Sequence, residues 1–133
     1  MATEQTRYVT YAEAVLIHVL VMRYSGESYF GVDDRALIES ALARPQHAAT
    51  YENADLIRQA ATLCFGLIKN HPWVGGNKRT ATAIMREFLR LNRYLLSASN
   101  AETLELVLAV EADRWKVDEV EGWLRRHTTQ AGT

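Results

Sequence analysis

Nine consecutive residues, His71-Pro-Trp-Val-Gly-Gly-Asn-Lys-Arg79, hold most of the chemistry that this sequence offers. Gly75 and Gly76 permit backbone conformations and close approaches that other residues forbid. Asn77 is a favoured N-cap, so a helix is expected to start there with its first backbone N–H groups free. Such a start attracts anions through its amides and its dipole. Lys78 and Arg79 follow in the first turn, where the dipole disfavours cations by roughly 0.3–1 kcal/mol each. Stability alone would favour Asp or Glu there. Two solvated surface charges are the plain alternative, but the glycines and His71 shift the balance toward a phosphate site of Gly76, Asn77, Lys78 and Arg79. Thr80 joins it as a phosphate ligand, with back-bonding along its own helix as the other possibility. His71 stands at the far lip of the loop. An imidazole, with its ordinary pKa of about 6.5, suits a general base that takes a proton from an attacking hydroxyl. The structural alternative is a residue that caps the preceding helix. Trp73 reads as a core anchor for the loop rather than a nucleobase stacker.

These residues must be held by helices, because the apolar pattern is helical nearly throughout. Thr10 and Glu13 have capping-box spacing and start a helix running to about Arg23. A loop follows over residues 25–31. Asp33 or Asp34 caps a second helix with Leu37, Ile38, Ala41 and Leu42 at helical spacing, and Pro45 is expected to end it near Arg44. Residues 45–53, including His47, read as an exposed connection. Asn53 is expected to cap a third helix with Leu56, Ala60, Leu63, Leu67 and Ile68 on one face, ending at Asn70 because Pro72 disfavours helical geometry at His71. The fourth runs from Asn77 to about Leu91, buried through Ala81, Ile84, Phe88 and Leu91. Two more follow at roughly 101–112 and 118–127. The expected fold is all-α, a compact bundle of about six helices without a convincing strand. Cys64, Trp115 and Trp123 read as packing, and His18 as a satisfied core or edge residue. His47 has only its position to suggest contact with a substrate.

The 133 residues suffice for one domain with its own core. A formal net charge of −1 argues against broad nucleic-acid binding, which needs surplus cations. The single cysteine excludes an intramolecular disulfide and a cysteine zinc site, and the four histidines show no metal-ligand spacing. The start lacks a signal-peptide layout, and the apolar run from Ala14 to Met22 is interrupted by His18 and far short of a membrane span. A cytoplasmic protein without a membrane partner is expected.

The motif and its continuation, Thr80-Ala81, resemble the HxFx(D/N)(G/A)NKR signature of the death-on-curing (Doc) branch of the Fic/Doc superfamily. The flanking stretches 8–14, 31–45 and 88–94 resemble it too, so the likeness runs from about Tyr8 to His127, with disordered ends expected outside it. The resemblance implies a helical fold with the motif loop at the junction of two central helices. Fic-type members transfer AMP from ATP to a target hydroxyl and carry glycine where this chain has Lys78. Doc-type members carry lysine, and phosphorylate a threonine of translation elongation factor Tu. The resemblance therefore implies a toxin that uses ATP as co-substrate with Mg²⁺, restrained by an antitoxin that contributes a C-terminal helix. His71 would be the base, Asn77 a phosphate-binding or loop-fixing group, and Lys78 and Arg79 would hold phosphates and offset transition-state charge. Thr82 stands where Fic types have a second arginine. Gly75 departs from the pattern: the family has Asp or Asn there, whose side chain helps to bind Mg²⁺, so the protein ligands of a metal are left unassigned. AMP transfer, or a catalytically weakened module that binds nucleotide or antitoxin, are the alternatives.

Overall fold

A computed structural model describes residues 5–132. Its elements, in chain order, are α1 (Tyr11–Tyr24), β1 (Gly31–Val32), α2 (Arg35–Glu52), α3 (Leu56–Asn70), β2 (Trp73–Val74), α4 (Asn77–Leu91), β3 (Tyr94–Leu96), α5 (Asn100–Glu111), α6 (Val117–His127) and β4 (Thr128–Gln130). The fold is the expected all-α bundle, with six helices among the described residues. The strands pair as two short antiparallel ribbons, β1 with β2 and β3 with β4. With two or three residues each, they are too short for alternation to show in the sequence.

α3 is the central helix because it is apolar nearly all round. Ile57, Ala60, Ala61, Leu63, Cys64, Leu67 and Ile68 are all buried on it. It packs against α2, α4, α5 and α6. Arg58 and Arg125 reinforce the α3–α6 seam, Arg58 donating to Asp118 at 2.6 Å and Arg125 to Asp55 at 2.8 Å. α4 carries its expected stripe, with Ala81, Ile84 and Phe88 fully buried and Leu91 partly so.

Several local expectations need correction. Pro45 does not end α2, which continues to Glu52. Residues 45–53 are therefore mostly helix rather than an exposed connection, and His47 lies on it beside Tyr51. Ala41, Pro45 and Ala48 are buried on one face of α2, so packing offsets the missing N–H, which alone costs ~3 kcal/mol in a helix interior. Asn53 does not start α3; it ends α2 in the left-handed region at φ 53°, its N–H donating to the Ala48 carbonyl. Asp55 caps α3, accepting from the Arg58 N–H at 3.0 Å, whereas the cap of α2 is one of the two expected candidates, Asp34. At the C-terminal end, residues expected to be disordered form β4, paired with β3 from Tyr94↔Gln130 to Leu96↔Thr128. The other extremity, residues 1–4, lies outside the described residues, as does residue 133.

Candidate active site

The loop between α3 and α4 is built from left-handed backbone. His71 ends α3 with φ 50°, a conformation that histidine adopts more readily than most residues, and its N–H donates to the Leu67 carbonyl. Both sequence readings of His71 thus have a place: its backbone caps α3 while its exposed side chain faces the cavity. Gly75 and Gly76 follow at φ 72° and 61°. A Cβ on Gly76 would lie 2.3 Å from the Met22 sulfur, so this glycine also lets α1 approach the loop.

Gly76, not Asn77, is the N-cap of α4. Asn77 occupies the first helical position, and its side chain turns back to clamp the loop. Its Oδ1 accepts the Trp73 N–H at 2.9 Å and its Nδ2 donates to the Trp73 carbonyl at 2.9 Å. Those bonds fix the amide's orientation, so the remaining N–H faces His71 Nδ1 at 3.3 Å. In a neutral His71 the ring proton then sits on Nε2.

Trp73 is the anchor expected of it, 3% exposed and stacked on His18 with ring centroids 4.4 Å apart. His18 is fully buried. The Gly31 N–H donates to its Nε2 at 3.2 Å, which leaves Nδ1–H to donate to the Thr80 hydroxyl at 2.9 Å. Burial lowers the His18 pKa and keeps the ring neutral. This arrangement removes Thr80 from the phosphate ligands. Its hydroxyl is buried against His18 and its N–H donates to the Gly76 carbonyl at 2.8 Å. Cys64 is inert as expected, its thiol pushed up to about 12 by burial.

The loop and α4 form one wall of a cavity of about 790 Å³, and α5 forms the other. His71, Gly76, Asn77, Lys78 and Arg79 all line it. Lys78 lies 3.3 Å from both carboxylate oxygens of Glu111. The Arg79 guanidinium has no ion pair or hydrogen bond among the described residues. The sequence reading missed Arg86, Asn100, Thr103, Leu104 and Val107 on the cavity walls. Arg86 had a signal, lying seven residues beyond Arg79 and so on the same face of α4; the α5 residues had none, because their approach is tertiary.

A divalent cation does not fit these side chains. Among the described residues lining the cavity there is no Asp or Glu, and Gly75 offers no side-chain oxygen. Nor does any cluster of three or more His, Cys, Asp or Glu among the described residues stand ready to hold a metal ion. Among them, too, no helix is long and apolar enough to cross a membrane.

Residues 8–89 match the model of the Fic/DOC family. A protein named Toxin Doc, from Mycolicibacterium smegmatis (strain ATCC 700084 / mc(2)155), is 44% identical over 71 residues, 50% of this chain and 53% of that protein. The chain thus spans about half the length of this curated relative.

Proposed function

The chain belongs to the Fic/DOC family, and on that premise we propose that it is a Doc-type toxin transferring the γ-phosphate of ATP to a protein hydroxyl. Elongation factor Tu is the proposed target, and the cytoplasm, where that factor and ATP meet, the place of action. One observation carries the proposal: His71, Asn77, Lys78 and Arg79 converge on a single cavity at the start of α4. The γ-phosphate sits at the free amides of that helix, with Arg79 against its oxygens. His71 takes the hydroxyl proton as the target oxygen attacks phosphorus; the bond to the β,γ-bridging oxygen breaks, and ADP leaves with those electrons. The 3.3 Å contact between Asn77 and His71 Nδ1 must loosen before the ring can act as a base at either nitrogen. Lysine at position 78 and threonine at 82 speak against AMP transfer, for which the family has glycine and arginine.

Restraint comes, in this proposal, from an antitoxin helix. Leu16, Leu20 and Tyr24 recur every four residues on α1 and are 57%, 57% and 96% exposed. Leu20 and Tyr24 share a groove with Arg79 and Thr82, so a helix laid on this stripe would also cover the cavity's edge.

The test is incubation with elongation factor Tu and ATP labelled on either the γ- or the α-phosphate. Label from the γ-position alone is expected on the factor, and His71→Ala should reduce it by ~10²–10⁴-fold while nucleotide still binds. Label from the α-position would establish AMP transfer instead. Nucleotide binding with no transfer from either label would make the chain a binding module.

A further inference from the structure

We infer that the cavity takes its polyphosphate ligand as the metal-free anion, with Arg86 as a ligand to the phosphate chain. The inference rests on the nucleotide reading above and specifies the form of the ligand. Arg86 is half-buried on α4, two turns beyond Arg79, about 10 Å along the axis. It lines the same cavity as Arg79 and the start of α4, and helical side chains lean toward the helix N-terminus, the end at which the phosphates are placed. Among the described residues its one hydrogen bond is to the Thr103 hydroxyl at 3.5 Å, the outer limit of such contacts, and it has no carboxylate partner. Other arginines of the chain do find carboxylates: Arg58 at 2.6 Å, Arg90 and Arg125 at 2.8 Å.

A guanidinium held half out of water without a counter-charge is unfavourable unless an anion completes it. Arg79, exposed on the same face, likewise has no ion pair among the described residues. Two unpaired cations in a cavity whose described lining includes no Asp or Glu repel a divalent ion and attract a free triphosphate. Mg²⁺ sites on proteins ordinarily use one or two carboxylates, and glycine at position 75 supplies none. Cations of the chain thus stand where a metal would otherwise offset phosphate charge.

Isothermal titration of the full chain with ATP, ADP, AMP and inorganic tripolyphosphate, in EDTA and in Mg²⁺, tests this. Wild-type protein should bind ATP and tripolyphosphate in EDTA at least as tightly as in Mg²⁺. Arg86→Ala should weaken both by about ten- to a hundredfold in EDTA, with a smaller loss for AMP, and Arg86→Lys should restore part. Melting curves of both variants confirm folding, and the metal comparison on wild type stands should either variant fail to fold. Binding only with Mg²⁺ would overturn the inference, as would a folded Arg86→Ala with unchanged affinity, or with equal losses for AMP and ATP. Wild type that binds tripolyphosphate in EDTA but not ATP would remove the nucleotide reading while upholding the anion site. Wild type that binds neither would remove both.

Discussion

The Lys78 ammonium lies midway between two tasks, 3.3 Å from Glu111 on α5 and on the wall of the phosphate cavity. Both partners of that ion pair are about two-fifths exposed, so the pair itself contributes no more than ~1 kcal/mol. A phosphate entering the cavity competes with Glu111 for the same charge. Removing the competitor, Glu111→Gln, should therefore tighten ATP binding by about two- to fivefold while changing thermal stability little. Titration calorimetry and a melting curve read both quantities. An affinity that does not move would mean that Lys78 serves α5 and not the ligand. Arg79, which has no such distraction, remains the cation most available to the γ-phosphate. Cations in the first turn, misplaced for the helix dipole, are thus divided between a structural partner and an open site.

α2 shows how far an element can depart from its local signals. Pro45 sits in the eleventh of its eighteen positions, where its ring removes a helix hydrogen bond, yet the helix continues because that ring is buried against the core. Alanine there regains ~3 kcal/mol of helix propensity and forfeits two buried CH₂ groups, about 0.8 kcal/mol each. It also forfeits ~0.4–1 kcal/mol from the freer unfolded chain. The balance predicts that Pro45→Ala stabilises the protein by about 0.5–1 kcal/mol, raising the Tm by a few degrees. A lower Tm would show that the proline ring packs better than its area suggests. The chain's path through the site follows the same logic at smaller scale, where the Asn77 clamp on Trp73 replaces the cap expected of Asn77.

Across the whole molecule, His18 joins three pieces that are far apart in sequence: α1, the Gly31 N–H of β1 and Thr80 on α4. Trp73 and Phe30 flank the ring. Its folded pKa lies below the ordinary value of 6.5, because protonation would charge a buried ring and break the bond from Gly31. Above pH 6.5 neither state takes up the proton, so this group's contribution is fully present. As pH falls below 6.5 the unfolded chain binds the proton first, and stability is lost until the folded pKa is passed. The carboxylates held below their ordinary range, Asp55, Glu87, Glu102 and Asp113, act only nearer pH 4 and below. Urea denaturation between pH 7 and 5 should therefore show falling stability that His18→Gln flattens. An unaltered slope in that variant would assign the dependence to another group.

Much of this protein was legible in sequence because it depends on neighbours along the chain. Helix periodicity, the Thr10–Glu13 capping box and the run from His71 to Arg79 are local, so residue spacing alone determined the helical fold and placed the loop at a helix start. Tertiary contact decided the rest. Pro45 remains helical because its ring is buried when the helix packs, and Thr80 is lost to phosphate only because His18, 62 residues earlier, claims its hydroxyl. Asn100, Thr103, Leu104 and Val107 became part of the site, and Glu111 the partner of Lys78, when α5 came to face α4 across the cavity. A side chain's partner is set by distance in space, and spacing along one helix carries no information about the helix that will lie opposite.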